Sequence, residues 1–144
     1  MEINLPEGKK LYFASDNHLG APTYKESRER ETRFVHWLDT IKTDAGALFL
    51  LGDLFDFWFE YKTVVPRGFV RVLGKLAELR DSGLPIFFFV GNHDLWMDDY
   101  FPQELDIPVY RSPQEFTCRG KRFLIGHGDG LGPGDKGYKR MKKV

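Results

Sequence analysis

Four short apolar runs constrain the fold of this chain more than any other feature of its sequence. They occupy residues 11–14, 47–51, 86–90 and 123–125. None of them alternates apolar with polar residues, a pattern that is typical of strands buried on both faces of a sheet. The sequence therefore predicts four central strands that are covered on both sides.

A helix is predicted between the first two runs, over residues 23–43. Its apolar residues recur at the spacing of one helix face, at Phe34, Trp37, Leu38 and Ile41. Thr23 and Glu26 predict a capping box at its start, and Gly46 predicts its end. Opposite charges four residues apart predict exposed ion pairs, namely Glu26 with Arg30 and Glu29 with Arg33.

A second helix is predicted before the third run, with an apolar stripe at Phe69, Val72, Leu73 and Leu76. Pro66 is expected near its first turn and Gly83 at its end. The resulting order, strand–helix–strand–helix–strand, predicts right-handed crossovers and an α/β fold with a largely parallel sheet. Further along, residues 115–126 predict two strands joined by a turn at 119–121.

Each apolar run leads into a polar cluster: SDNH at 15–18, GDLFD at 52–56, GNHD at 91–94 and GHGD at 126–129. In open α/β sheets, ligands bind at the carboxyl ends of the strands, so we expect these clusters to converge. The converging residues are Asp16, His18, Asp53, Asn92 and His127, with Asp56, His93 and Asp94 nearby. One such cluster would be ordinary turn chemistry, and Asp129 fits a turn as well as a site. Four clusters after four strand-like runs indicate a site.

The residue types of these clusters favour a metal centre. Several carboxylates in one place repel each other, and bound divalent cations remove that repulsion. A mixture of Asp, Asn and His without a thiolate suits Mn²⁺, Fe²⁺ or Zn²⁺ at a reactive site better than a structural zinc cage. Two metals about 3.5–4 Å apart can clamp the attacking and leaving oxygens of a phosphoryl displacement.

Composition and charge narrow the classes of function. Equal numbers of basic and acidic residues, 21 of each, argue against a nucleic-acid partner. The single cysteine, Cys118, excludes a disulfide within the chain and favours a reducing compartment. Because the chain has no apolar run of membrane-spanning length and no apolar signal core at its start, we expect a cytoplasmic protein. Peripheral contact with a membrane is compatible with this location. The basic residues near the end fit a solvated helix start or a local anion-binding patch; they are Lys136, Lys139, Arg140, Lys142 and Lys143.

The ordered motifs DNH, GDLFD, GNHD and GHGD resemble those of the calcineurin-like metallophosphoesterases. The resemblance covers most of the chain and implies an αββα sandwich. It also implies two bound divalent metal ions, for which Mn²⁺ is the preferred identity and Fe²⁺ or Zn²⁺ are the alternatives. It also implies that Asp16 and His18 bind one metal, that Asn92 and His127 bind the other, and that Asp53 bridges both.

The same resemblance implies the catalytic roles. His93 would contact the phosphoryl oxygen or protonate the leaving group, and Asp94 would orient its ring. Asp56 would contact the metal ligands without binding a metal itself. These roles describe a dinuclear, metal-dependent hydrolase of phosphodiester or pyrophosphate bonds.

Three longer segments, SDNHLG, GDLFDFWFEY and HGDGLGPGDKGYK, resemble a narrower group, the UDP-2,3-diacylglucosamine pyrophosphohydrolases of lipid A synthesis. That likeness implies a nucleotide-sugar lipid substrate, cleaved to UMP and lipid X, and peripheral contact with the cytoplasmic face of the inner membrane. The aromatic residues of the second segment would either line a lipid or sugar site or pack in the core. They are Phe55, Phe57, Trp58, Phe59 and Tyr61.

One departure from the family pattern shapes the expected domain. The family's G-H-x-H segment does not follow His127. We therefore expect residues 1–144 to form a single catalytic domain that resembles the N-terminal portion of a longer enzyme and lacks the C-terminal part of its second sheet. Strands left uncovered in this way predict self-association. The alternatives are a cyclic-nucleotide phosphodiesterase, a nuclease, a phosphoprotein phosphatase or a non-catalytic metal-binding module.

Overall fold

The computed structural model of the chain describes residues 1–128. The predicted loop and helix start of the basic tail, and Asp129, lie outside the described residues. The elements run in this order: β1 (Glu2–Ile3), β2 (Lys10–Ala14), α1 (Tyr24–Ile41), β3 (Ala45–Leu50), α2 (Val70–Asp81), β4 (Ile86–Phe89), α3 (Tyr100–Leu105), β5 (Val109–Tyr110), β6 (Gln114–Cys118) and β7 (Lys121–Ile125). Within residues 1–128, no helix combines the length and apolar content that a membrane crossing requires.

The main sheet is parallel and has the strand order β2-β3-β4-β5. The first three apolar runs of the sequence form β2, β3 and β4, and α1 and α2 are the crossovers between them. The predicted α/β fold with a parallel sheet is therefore confirmed. Because the strands are parallel, the chain leaves β2, β3 and β4 at the same edge of the sheet, called here the carboxyl edge.

A second, smaller sheet has the order β1-β6-β7. Its strands β6 and β7 form an antiparallel hairpin, and Arg119 and Gly120 turn the chain with φ values of 49° and 75°. The hairpin predicted at residues 115–126 is therefore confirmed. The fourth apolar run, however, belongs to this sheet and not to the parallel one.

Among the strands of residues 1–128, two of the four predicted central strands are edge strands, so that part of the prediction is wrong. In β2, Phe13 is 44% exposed, and in β7, Leu124 is 74% exposed. An apolar run reports the side-chain types of a strand, whereas the number of neighbouring strands is decided by topology. The expectation of burial on both faces holds for β3 and β4, which lie inside the sheet.

Two hydrophobic cores lie on opposite faces of the parallel sheet. Alternate residues of β3 belong to different cores. Leu48 and Leu50 pack with the buried residues of α1 and α2, whereas Phe49 packs with the second sheet. The ring of Phe49 lies edge-on to Phe116 of β6, with centroids 5.2 Å apart. Residues 1–128 thus contain three layers of the αββα sandwich, one of helices and two of strands.

The helix boundaries follow contacts that sequence periodicity does not contain. The capping box of α1 is confirmed, because the Glu26 N–H donates to Thr23 Oγ1 at 3.2 Å. Gly46, predicted to end this helix, lies inside β3. Pro66 lies in the loop just before α2, and the buried carboxylate of Glu31 accepts the N–H of Val72 at 3.1 Å near the start of α2.

Candidate metal centre

Three predicted ligands meet at the carboxyl edge of the parallel sheet. The loop after β2 carries Asp16 and His18, and the loop after β3 carries Asp53. His18 Nε2 lies 3.6 Å from Asp16 Oδ1 and 3.7 Å from Asp53 Oδ2. One ligand atom from each of the three residues falls within 4.8 Å of the other two, a spacing suited to a single metal ion.

His127 reaches the same carboxylate from the second sheet. It follows β7, and its Nε2 lies 3.5 Å from Asp53 Oδ2. Its Nδ1 lies 2.6 Å from the carbonyl oxygen of Leu51, which can only accept a hydrogen bond, so Nδ1 carries a proton and Nε2 is the ring nitrogen directed at Asp53. The expectation that every ligand comes from one sheet is wrong, since the two sheets share the centre.

Asn92 is exposed and lies in the chain between two residues that touch Asp53. On one side, the His93 N–H donates to Asp53 Oδ1 at 2.9 Å. On the other side, Gly91 packs so closely that a Cβ there would lie 2.1 Å from Asp53 Oδ1. The loop after β4 therefore runs beside the buried carboxylate of Asp53 at the two residues that flank Asn92.

Asp56 orients two imidazole rings. Its Oδ1 lies 3.3 Å from His18 Nδ1 and 3.4 Å from His93 Nδ1, and its carbonyl oxygen lies 2.9 Å from His93 Nδ1. The two rings meet edge to face, with centroids 4.7 Å apart. With Nδ1 of His18 held by Asp56, its Nε2 faces Asp16 and Asp53.

The contacts of Asp94 differ from the contact with the His93 ring that the resemblance implied. Asp94 is fully buried, and its carboxylate accepts hydrogen bonds from the N–H groups of Gly91 at 2.7 Å, Asp53 at 3.2 Å and Leu54 at 3.0 Å. Burial raises the pKa of Asp94 to about 6, against the opposing effect of these N–H donors. Asp94 ties the loops after β3 and β4 together, and Asp56 orients His93 in its place.

The backbone is strained at three of the predicted ligands. Asp16, His18 and Asp53 have φ values of 57°, 47° and 52°, in the left-handed region that side-chain-bearing residues rarely adopt. Such residues cost on the order of 1–3 kcal/mol each and are common where function requires them. Backbone hydrogen bonds between the loops hold them, including His18 N–H to the Asp53 carbonyl at 2.9 Å and Asp16 N–H to Gly52 at 3.1 Å.

Gly52 explains why a glycine precedes the buried aspartate. Its φ is 89°, and a Cβ at this position would lie 2.6 Å from His127 Nδ1 and 2.7 Å from the Gly91 nitrogen. A side chain here would push the loops after β3 and β4 apart and displace His127. The glycines of the GD and GN motifs therefore allow the backbone to approach the ligands closely.

Of the aromatic residues after β3, some pack in the core and others are exposed, as a lipid or sugar site would require. Phe55 and Trp58 are fully buried in the core, whereas Phe57, Phe59 and Tyr61 are about half exposed. The rings of Phe57 and Phe59 each lie 6.4 Å from Trp96, which is also exposed. We call Phe57, Phe59, Tyr61 and Trp96 the aromatic patch, which begins at the residue next to Asp56.

Sequence reasoning missed the residues that hold these loops in place. The Glu60 carboxylate accepts the N–H groups of Asp98 at 2.9 Å and Tyr100 at 3.0 Å, and so links the loop after β3 to the start of α3. The Arg111 guanidinium donates to the carbonyls of Leu95 and Met97. No local pattern signals such contacts, because each joins segments that are distant in the sequence.

Comparison with known proteins finds one family model and several named relatives that match most of the chain. The model of the calcineurin-like phosphoesterase family matches residues 9–139. A UDP-2,3-diacylglucosamine hydrolase from Porphyromonas gingivalis is 48% identical over 120 residues, which are 83% of this chain and 46% of that protein. One from Histophilus somni is 32% identical over 139 residues, which are 94% of this chain and 56% of that protein. The chain spans about half the length of the curated relatives that it matches.

The fold is also found among solved structures. A protein of unknown function from Aquifex aeolicus superposes with a TM-score of 0.56, at 20% identity, over 92% of this chain and 68% of that chain. At this identity the likeness concerns the fold alone.

Proposed function

Since the chain belongs to the calcineurin-like phosphoesterase family, we propose that it forms the metal-binding part of a hydrolase of phosphodiester or pyrophosphate bonds. The observation that carries the proposal is the buried carboxylate of Asp53, which faces the Nε2 atoms of both His18 and His127. The substrate we propose is UDP-2,3-diacylglucosamine, hydrolysed to UMP and lipid X, because the relatives above carry the name of that activity.

The family implies divalent metal ions, and we propose two, with Mn²⁺ ahead of Fe²⁺ and Zn²⁺. Asp16 and His18 would hold one ion, Asn92 and His127 the other, and Asp53 both. The set of carboxylate, amide and imidazole donors fits such ions, as does the direction of His127 Nε2, which lies 3.5 Å from Asp53 Oδ2. When bound, the ions supply Lewis-acid activation of the phosphoryl group and of water.

His93 is the proposed proton donor to the leaving oxygen. Its Nδ1 is held by the carbonyl and carboxylate of Asp56, and its side chain is 41% exposed, so Nε2 is accessible to a substrate. A proton donor positioned in this way accelerates a reaction by about 10²–10⁴-fold. Asp56 acts on both imidazoles, because it fixes the Nδ1 side of His93 and of His18.

The aromatic patch is the proposed contact for the lipid or sugar part of the substrate. Its rings are exposed next to Asp56, and two of them, Tyr61 and Trp96, combine an apolar ring with a polar group, which suits an interface between water and lipid. Peripheral contact of this face with a membrane belongs to the same proposal. We further propose that residues 1–144 belong to a single catalytic domain.

The test is an assay of the full-length protein loaded with Mn²⁺ and incubated with UDP-2,3-diacylglucosamine, with UMP measured by chromatography. We expect UMP from the wild type and none from Asp53→Asn or from the wild type in a chelator. Hydrolysis of a cyclic nucleotide or of bis(p-nitrophenyl) phosphate without UMP release would assign the chain to another branch of the family. Tight metal binding without turnover of any of these substrates would indicate a non-catalytic metal-binding module.

A further inference from the structure

The loop between β2 and α1 is held by one arginine. Nη2 of Arg30, in the second turn of α1, donates to the carbonyl oxygen of His18 at 2.8 Å and to that of Ala21 at 2.7 Å. Arg30 is half-buried and does not form the surface ion pair with Glu26 that the sequence predicts. Its charged guanidinium is directed at the backbone of the residue that carries a predicted metal ligand.

A neighbouring side chain strengthens the same attachment. Ser27, which is buried one turn earlier on α1, accepts the N–H of Gly20 at 2.9 Å. The contacts from α1 therefore reach Gly20 as well as both carbonyls bonded to Arg30. The loop is fixed along one side by the first two turns of the helix.

His18 is held from two directions at its backbone. Its N–H donates to the Asp53 carbonyl at 2.9 Å, and its carbonyl accepts from Arg30. These two bonds bracket a residue whose φ is 47°, a conformation that an L-residue keeps only when its surroundings impose it. The direction of the Cα–Cβ bond, and hence of the imidazole, follows from that backbone conformation.

We propose that Arg30 is a positioning residue that sets the direction of the His18 imidazole in the metal centre. Hydrogen bonds from an ionised donor are about twice as strong as neutral ones, and one guanidinium holds two carbonyls of the loop. Without them, the left-handed backbone of His18 relaxes and Nε2 turns away from Asp16 and Asp53. The effect on metal binding rests on the proposed function, whereas the effect on the ring does not.

Arg33 offers a matched control. It lies one turn further along α1, its side chain is 71% exposed, and it pairs with Glu29 on the surface. Arg33→Met therefore removes the same type of side chain from the same helix without touching the loop.

The experiment compares the wild type with Arg30→Met, Arg30→Lys and Arg33→Met. Mn²⁺ affinity is measured by calorimetry, the His18 ring by long-range ¹H–¹⁵N spectra of the metal-free chain, and folding by thermal unfolding. We expect Arg30→Met to weaken Mn²⁺ binding by about 10–100-fold, the range found for groups that orient metal ligands, and to shift the His18 ring resonances. Arg30→Lys should recover part of the affinity, and Arg33→Met should match the wild type.

The proposal is overturned if Arg30→Met keeps the His18 resonances and the Mn²⁺ affinity and changes only the melting temperature. If Arg30→Met does not fold, Arg30→Lys decides: an intermediate affinity with shifted resonances supports the proposal, and wild-type values of both overturn it. A wild type that binds no Mn²⁺ refutes the metal centre, and the ring spectra of the metal-free chain then decide the role of Arg30 by themselves.

Discussion

The two edges of the parallel sheet differ in whether their charged side chains form surface ion pairs or are buried. At the amino edge, where β2 and β3 begin, charged groups pair at the surface: Lys10 lies 3.3 Å from Asp44, and Lys42 lies 2.6 Å from Asp39. At the carboxyl edge, Asp53 and Asp94 are buried. Carboxylates are therefore removed from water at the carboxyl edge, which is energetically unfavourable, whereas the ion pairs of the amino edge stay in contact with water.

Cavity size alone would point to the wrong edge. A cavity of about 360 Å³ lies at the amino edge and is lined partly by Lys9 and Lys42. The cavities beside Asp56 and His127 measure only about 50 Å³ and 20 Å³. Surface ion pairs contribute little because water screens them, whereas a buried carboxylate requires specific partners. The chemistry of the carboxyl edge therefore indicates function better than the volume of the amino edge does.

The largest expected effect separates the two edges by metal content. Asp53→Ala should abolish metal binding at both positions, because its carboxylate faces ligands of each. Asp44→Ala, the corresponding change at the amino edge, should leave the metal content of the protein unchanged. Elemental analysis after dialysis against Mn²⁺ measures both variants. One full equivalent of metal retained by Asp53→Ala would show that this carboxylate does not bridge.

The next effect concerns turnover. His93→Ala in the full-length protein should keep its metals and slow hydrolysis by about 10²–10⁴-fold, because the proton donor is lost and the ligands remain. His36→Ala, on the exposed face of α1, is the control and should keep full activity. Steady-state kinetics and metal analysis are run on the same samples. If His93→Ala loses metal as completely as Asp53→Ala does, then His93 is itself a ligand.

A third effect concerns stability. Asp94→Asn should lower the free energy of unfolding of the metal-free chain by about 2–4 kcal/mol, because an amide NH₂ would face backbone N–H donors such as that of Leu54. Asp98→Asn, an exposed change four residues away, should alter it little. Urea titrations followed by tryptophan fluorescence measure both. Equal stability of the two variants would mean that Asp94 does not link the loops.

The smallest effect is at the amino edge. Lys42 and Lys75 hold the pKa of Asp39 below its ordinary value of 3.8. A lowered pKa gives stability that is present above the unfolded value and is lost as the pH falls through the folded one. Asp39→Asn should therefore lower the melting temperature slightly at pH 7, and the difference should shrink as the pH falls below 3.8, disappearing once the pH is below the lowered pKa of Asp39. A large difference that persists at low pH would contradict the view that this edge carries solvent-screened pairs.

The sequence predicted the parts of this molecule that depend on local pattern. The apolar runs of β3 and β4, the capping box at Thr23 and the turn at Arg119 each follow from neighbouring residues. The convergence of Asp16 and His18 on Asp53 followed from topology, since parallel strands end at a common edge.

The remaining features depend on contacts between segments that are distant in the sequence. Asp94 and Asp56 both follow strands by a few residues, and no local pattern states which of them reaches the His93 ring. The left-handed backbone of His18 is imposed by Asp53 and Arg30, which lie in other loops and helices. Such details require coordinates, because they are decided by packing and not by residue type.

We propose above that the Asp53 carboxylate bridges two divalent ions at the carboxyl edge. Diffraction data collected at the manganese absorption edge, from crystals of the full-length protein soaked in MnCl₂, test this bridging directly. We expect two anomalous peaks, about 3.5–4 Å apart and each about 2 Å from an oxygen of Asp53. A single peak, no peak beside Asp53, or peaks at Asp44 on the amino edge would contradict it.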